Sequence, residues 1–360
     1  MRIVLDCRYV RVDRHDGISR YTVGLVTALA KIVGAEHALV MLVSDPRQLA
    51  HLPQLAWHRT SAPTSAREPL VARQVRGLAP DVVFSPMQTM GGWGRTYPLV
   101  LTLHDLIYYR NRTPPPEFAA PVRLLWRLYH LAWWPQRVML NRADAVVTVS
   151  HTTAALIQRH RLTRRPVTVV PNAPEPLPDL PRERRTPTLV YMGSFMPYKN
   201  VATLAAAMGA LPDHELHLMS RVTDAERARL RALAPGGRLV FHDGASDETY
   251  HDLLRSATAL VTASRDEGFG IPLVEAMGLG TPVVVSDIPV FREVGGDAAA
   301  YVDPDDVAAF VRAVRELDDP DRWQRRSAAG RARASRYTWE ASARVLLALL
   351  ERTASGGHRG

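Results

Sequence analysis

Two carboxylates, Glu267 and Glu275, bracket seven residues within the stretch 263–289, which runs ASRDEGFGIPLVEAMGLGTPVVVSDIP. Between them lie Gly268-Phe269-Gly270 and then Pro272. Proline suits the first turn of a helix, where a backbone N–H would be unpaired in any case. Gly278 and Gly280 supply a stop, and the apolar run at 282–286 starts a buried strand. The spacing therefore predicts a loop, a short helix and a strand, with one acid before the helix and one inside it. Unpaired N–H groups at such a helix start suit phosphate or sugar oxygens, and the glycines admit a ligand to close range. Two bare acids at this spacing would be a solvent-facing pair beside a turn; the glycines and prolines around them favour a ligand.

The elements that must hold these residues are legible in outline. Apolar runs of strand length alternate with helical stretches along the chain, which argues for parallel α/β layers. Strands are expected at 3–7, 38–43, 82–85, 99–103, 145–149 and 167–170, then at 188–192, 215–219, 239–241, 259–262, 282–286 and 299–302. Residues 171–187 carry six prolines and read as an extended linker. With 360 residues the chain suits two domains, whose ligands would gather at the carboxyl ends of the strands, in a cleft between the sheets. The last helix is expected at 338–352, capped by Thr338, with Val345, Leu346, Leu349 and Leu350 on its apolar face. The tail at 355–360 is expected to be disordered.

Composition narrows the classes. Apolar residues make up 46% and charged residues 22%, the balance of a soluble globular chain. Cys7 is the sole cysteine, so no intrachain disulfide can form, and a reducing compartment is expected. The chain enters a strand at once and holds no run of roughly 20 apolar residues, so a cytoplasmic protein without a leader or membrane span is expected. The formal charge of +9, mostly arginine, favours an anionic partner: a nucleotide sugar, an anionic lipid surface or nucleic acid. No nucleic-acid motif accompanies that charge. The histidines are scattered, with no spacing of a metal site, and there is no GxSxG elbow.

The segment 263–289 resembles the donor-binding signature of the retaining glycosyltransferases of family 4: a glutamate, GFG, a proline, a second glutamate in EAM, a glycine, then PVV and SD. The resemblance extends over nearly the whole chain. It implies the GT-B fold, two Rossmann-like domains facing each other across a cleft, with the C-terminal helix crossing back to the N-terminal domain. The boundaries that follow are 1–171 for an acceptor-side domain joined by 338–360, 172–187 for the linker, and 188–337 for the nucleotide-sugar domain.

Residue by residue, the resemblance implies that Glu275 holds the donor ribose, while Glu267, with the Gly268-Phe269-Gly270 turn, holds the sugar hydroxyls. In 191–200, YMGSFMPYKN, it matches Gly193 and Ser194 to a glycine loop and Lys199 to a cation on the diphosphate, where a fixed charge stabilises the departing group. The chain has very few lysines, which sharpens that assignment. Many relatives carry arginine where Tyr198 stands and others where Ser194 stands, so a second phosphate cation is unassigned. His104-Asp105 matches a pair whose histidine lies at the reacting carbon, with Asp105 fixing its tautomer or bracing the loop. A capping aspartate beside a structural histidine is the plainer reading of those two. The 16–21 segment, DGISRY, precedes an amphipathic helix with Leu25 and Leu29; Gly17 and Arg20 match a diphosphate and acceptor loop, or Gly17 is simply a turn. Ser150 and Asn172 match family positions and are equally ordinary cap or turn residues.

The implied enzyme moves a hexose, mannose from GDP-mannose ranking first, to a glycan or lipid-linked acceptor, with no metal and no resident cofactor. No carboxylate stands out as a nucleophile on the opposite face, so a same-face route with retention fits better. A GT-B phosphorylase, a nucleotide-sugar epimerase and a non-catalytic nucleic-acid binder are the rivals. One segment stands apart: 123–138, RLLWRLYHLAWWPQRV, is either a helix buried in the N-terminal domain or an interfacial helix on anionic lipid, with Trp133 and Trp134 at headgroup level.

Overall fold

A computed structural model describes residues 1–13, 16–114, 119–175 and 185–356. The chain divides into two compact units, Met1–Ala173 with Thr338–Gly360, and Pro174–Tyr337. The first unit holds strands β1 (Arg2–Asp6), β2 (Ala38–Val43), β3 (Ala56–Arg59), β4 (Val82–Ser85), β5 (Leu99–Leu103), β6 (Ala145–Thr148) and β7 (Val167–Val169). The second holds β8 (Thr188–Tyr191), β9 (Glu215–Leu218), β10 (Arg238–Phe241), β11 (Ala259–Thr262), β12 (Val283–Ser286) and β13 (Ala300–Val302). The sheet orders are β3-β2-β1-β4-β5-β6-β7 and β10-β9-β8-β11-β12-β13, and every recorded pairing is parallel.

Parallel sheets need crossover helices on both faces, so their central strands are buried on both sides and read as continuous apolar runs. Every residue of β4, β5, β6, β8, β11 and β12 is buried. The exception explains the strand that the sequence pattern misses. β3, Ala-Trp-His-Arg, is exposed throughout and pairs only with β2, so edge pairing and not apolar content makes it a strand.

The C-terminal helix, Trp339–Gly356, belongs to the first unit and packs on helix Gly17–Ile32. Thr338 Oγ1 accepts from Ala341 N at 3.2 Å, and Ser342 Oγ donates to the Pro171 carbonyl at 2.8 Å. Leu346, Leu349 and Leu350 are buried with Trp339 and Ala343, but Val345 is 41% exposed. Val345 therefore leaves the expected apolar face: a step of one residue from Leu346 turns it about 100° around the helix. Of the expected linker, Asn172 lies in the first unit, while Thr186 N already bonds the Ser256 carbonyl of the second at 2.8 Å. The last helix runs on to Gly356, past its expected end at 352, so Ser355 and Gly356 are helical and not tail; residues 176–184 and 357–360, with the rest of the linker and tail expectations, lie outside the described residues.

The 123–138 segment is not one helix. It forms helices Ala120–Tyr129 and Trp134–Asn141 with a break between them. No residue of the first is fully buried, but Trp126 and Tyr129 are partly covered and Gln136 and Leu140 of the second are buried, so the segment packs on its domain along one side only. Trp133 is not a free ring either: it is sandwiched by Tyr109 at 4.2 Å and His160 at 4.1 Å, both stacked.

Gly24 lets the terminal helix approach. A Cβ there would fall 2.7 Å from the Trp339 indole Cζ2, inside the van der Waals boundary of a buried ring. Alanine improves helix propensity by up to about 1 kcal/mol, but overpacking a filled site costs about 1–3 kcal/mol. Gly24→Ala is thus expected to lower the urea midpoint of unfolding; an unchanged or higher midpoint would show that the two helices do not depend on this contact.

Candidate active site

In the second unit the strand order reverses between β8 and β11, which are neighbours. Connections on either side of such a point run to opposite faces, leaving a crevice at the carboxyl ends of the two strands. The loops that leave these strands carry the residues singled out above. After β8, the Tyr191 hydroxyl donates to the Ser194 carbonyl at 2.6 Å, passing beneath Gly193. A Cβ on Gly193 would lie 2.8 Å from that hydroxyl, so glycine fits the close approach. Pro197–Lys199 then forms one short turn and Asn200 adopts a left-handed conformation, its Nδ2 donating to the Pro304 carbonyl at 2.6 Å.

The loop after β11 is tied to that turn. Arg265 N donates to the Tyr198 carbonyl at 2.8 Å, and the Arg265 guanidinium pairs with Asp305. Lys199 Nζ stands 2.5 Å from Glu267 Oε1, with both side chains only 15% exposed. Tyr198 offers its ring to the same ammonium at 5.3 Å, giving Lys199 a π-face beside its carboxylate partner. The cation expected on a phosphate and the acid expected on a sugar are therefore partners here.

Gly270, at φ +94°, turns the chain into helix Ile271–Gly278, with Pro272 in its first turn. Its missing Cβ would sit 2.8 Å from Phe291 Cε1, and the positive φ itself favours glycine. Gly268 is buried, and Phe269 packs edge-on to Tyr337 at 5.5 Å. Glu275 lies within the helix and is 1% exposed. A carboxylate this deep requires polar or charged partners. Gly280, at φ +75°, ends the segment, while Gly278 is the last helical residue.

In the first unit the order reverses between β1 and β4. His104 follows β5, is half-buried, and its Nε2 lies 2.7 Å from the Pro86 carbonyl just past β4. A carbonyl only accepts, so Nε2 carries the hydrogen, and the Pro86 carbonyl sets the tautomer expected of Asp105. Asp105 Oδ1 instead accepts from Ile107 N at 3.0 Å, bracing the loop. Burial holds the imidazole below its ordinary value of 6.5 against the opposing pull of the Pro86 bond and Asp16, leaving a neutral ring with a lone pair on Nδ1.

The remaining expected residues lie at helix starts or in a buried loop of the first unit. Gly17 is the first residue of helix Gly17–Ile32 and not a loop before it; Asp16 caps that helix by accepting from Ser19 N at 2.9 Å. Arg20 sits half-buried in the first turn. Ser150 caps helix His151–Arg159, accepting from Thr153 N at 3.0 Å. Asn172 is buried, and its Oδ1 has no hydrogen-bond partner among the described residues. Among those residues, no group of three or more His, Cys, Asp or Glu side chains is arranged to hold a metal ion.

One cluster escaped the sequence pattern. Arg8, just past β1, is 3% exposed and sends Nε to Asp6 at 2.7 Å, Nη1 to Glu68 at 2.6 Å and the Ser61 carbonyl at 2.9 Å, and Nη2 to both acids at 2.9 Å. Burial alone would lower this guanidinium, but Asp6 and Glu68 together raise it. Ser85 of β4 donates to Asp6 at 3.0 Å, so the network closes the β1/β4 crevice. Asp6 ends β1 and Arg8 stands two residues on, a pair the sequence shows; Glu68, 60 residues further, carries no spacing signal.

The depressed His104 value sets a pH dependence. Below pH 6.5 an unfolded chain takes up this proton while the folded one resists, so stability present above 6.5 is lost as pH falls toward the folded value. Urea unfolding between pH 7 and about 5.5 is expected to fall less steeply for His104→Gln than for the parent. Parallel profiles would mean that the ring is not held neutral by its surroundings.

Residues 15–175 match the family described as Glycosyltransferase Family 4, and residues 186–319 match Glycosyl transferases group 1. An O-antigen chain mannosyltransferase of Salmonella typhimurium is 28% identical over 61% of this chain and 61% of its own length. A phosphatidyl-myo-inositol mannosyltransferase of Mycolicibacterium smegmatis is 33% identical over 53% of this chain and 51% of its own. The chain thus spans about half to three fifths of those two relatives. Among solved structures, sucrose-phosphate synthase from Thermosynechococcus elongatus superposes with a TM-score of 0.74 at 20% identity, covering 99% of both chains. Anabaena HepE, in complex with UDP and glucose, gives 0.67 at 17%, covering 97% of this chain and 99% of that one. Those two likenesses speak for the fold, two parallel-sheet α/β domains of the GT-B kind. With family 4 sequence in its first half and group 1 sequence in its second, the chain belongs to the glycosyltransferases.

Proposed function

We propose that this protein is a retaining transferase that moves a hexose, mannose first among candidates, from a nucleoside-diphosphate sugar to a glycan or lipid-linked acceptor. The observation that carries the reading is the Lys199–Glu267 pair at the β8/β11 crevice, with Glu275 buried one helical turn beyond the glycines. An ammonium has three donors, and among the described residues Lys199 gives one of them to Glu267. A diphosphate arriving there competes for the ammonium with more charge than one carboxylate offers. Glu267, displaced, becomes an acceptor for sugar hydroxyls, and Lys199 stabilises the charge that grows on the departing diphosphate. Glu275 is assigned to the ribose hydroxyls. The neutral His104 ring is assigned to a sugar hydroxyl through Nδ1.

Positive charge on the diphosphate then comes from Lys199 and the helix start at Gly270, so the reading asks for no metal and no resident cofactor. Departure and attack on one face, the diphosphate helping to deprotonate the acceptor, accounts for retention without a carboxylate nucleophile. Mannose and GDP-mannose are favoured because the matched relatives are named mannosyltransferases. A lipid-linked or surface-glycan acceptor would put the enzyme on the cytoplasmic side of a membrane. No described helix is long and apolar enough to cross one.

A panel of nucleotide sugars assayed by thermal shift is expected to single out GDP-mannose, since saturation at about 100 Kd adds about 2.7 kcal/mol to the native state. Lys199→Ala should lower turnover by roughly 100-fold or more. Glu275→Gln should weaken nucleotide binding by about 1–3 kcal/mol, as for a lost charge-assisted bond. Glu267→Gln should bind free nucleoside diphosphate at least as tightly as the parent, because the competitor for Lys199 has gone, while transfer falls. Weaker diphosphate binding by Glu267→Gln would overturn the competition, and no stabilisation by any nucleotide sugar would overturn the function.

A further inference from the structure

The helix Ala120–Tyr129 is amphipathic in an unexpected sense. Its aromatic residues turn inward: Trp126 meets Tyr108 at 5.0 Å and His130 at 4.1 Å, and Tyr129 packs against the core cluster around Leu103, Leu140 and Ile157. Its leucines turn outward. Leu124 is 59% exposed, Leu125 68% and Leu128 54%, and Leu131 and Trp134 beyond the helix are exposed to the same degree. Of eleven large apolar side chains exposed among the described residues, seven fall within 122–138. Scattered exposed leucines are ordinary, but a contiguous set of this size marks a contact surface.

Charge identifies what covers it. Between Asp105 and Asp144 the sequence carries six arginines, at 110, 112, 123, 127, 137 and 142, against one acid, Glu117. Arg110, Arg137 and Arg159 also lower His160 on the inner side of the cluster, after the larger effect of its burial, so the guanidinium charge converges on this part of the fold. A second copy of the chain would bring an equally cationic rim against itself, and like charges across an interface are costly. A surface that offers hydrocarbon behind a layer of phosphates satisfies both features at once.

We propose that Leu124, Leu125, Leu128, Leu131 and Trp134 enter the interfacial zone of an anionic bilayer, with the arginines at their edges on lipid phosphates. Trp133, stacked between Tyr109 and His160, supports this face from beneath and does not enter the lipid. The proposal deepens the lipid-side acceptor assigned above and rests on that reading for its purpose, while the surface itself stands on exposure and charge.

Sedimentation of the full chain with phosphatidylcholine vesicles, with and without phosphatidylglycerol, tests it. Binding is expected only with the anionic lipid and is expected to weaken at high salt. Leu125→Ser with Leu128→Ser should cut vesicle binding by roughly tenfold or more, since apolar burial drives insertion. The same variant should keep the parent's melting temperature and its affinity for free GDP, because both side chains are exposed. Absence of binding at low salt, or full binding by the double variant, overturns the proposal. So does a concentration-dependent dimer that the double variant abolishes, which would give this face to a second copy. Nucleotide binding is read in a separate arm, so failure of the donor assignment and failure of the lipid surface remain distinguishable.

Discussion

Parallel strand pairing is the constraint from which the rest follows. A strand can rejoin its neighbour in the same direction only through a crossover, so every loop that leaves a strand emerges at one edge of its sheet. The residues with chemical promise all lie on such loops or on the helices they start: Gly193 to Lys199 after β8, Glu267 to Glu275 after β11, His104 after β5. Where the strand order reverses, two of these loops are left without a helix between them. Lys199 and Glu267, 68 residues apart in sequence, meet at one such reversal. The buried Arg8 network fills the other.

The two charge clusters differ in what they leave available. Arg8 has five N–H groups, and all five find acceptors in Asp6, Glu68 and the Ser61 carbonyl. That guanidinium has no N–H left to offer, and its bonds tie the exit of β1 to the segment around Glu68, with Ser85 joined through Asp6. Removing one of its acids would leave a buried cation short of partners, which is strongly destabilising. Lys199 and Glu267 are partly open to solvent, and among the described residues one hydrogen bond joins them, with the Tyr198 ring beside the ammonium. The same interaction type is thus fully buried in one unit and partly open to solvent in the other.

The helix Ala120–Tyr129 illustrates how a hydrophobic pattern can mislead. Leucines at 124, 125 and 128 share one face and would ordinarily define the buried side. Here the opposite face is taken by Trp126 and Tyr129, whose larger rings fit a cluster with Tyr108, Tyr109 and Trp133. One amphipathic helix has two apolar faces to offer, and only the neighbours decide which goes inward.

Local chemistry carried much of this protein in its sequence. Continuous apolar runs marked the central strands, because strands covered on both faces need no polar alternation. The Gly268-Phe269-Gly270 turn and Pro272 marked the start of the helix that buries Glu275, because backbone freedom and a missing N–H are properties of single residues. Thr338 marked the start of the returning helix for the same reason. What depended on distant partners was invisible. β3 exists because β2 offers it an edge; Glu68 pairs with Arg8 across 60 residues; the tautomer of His104 is set by the carbonyl of Pro86 and not by adjacent Asp105; and Val345 and Trp133 take their places from what packs beside them. Conformational preference belongs to a residue and its immediate neighbours and can be read along the chain, whereas pairing and burial belong to contacts that exist only once the chain has closed on itself.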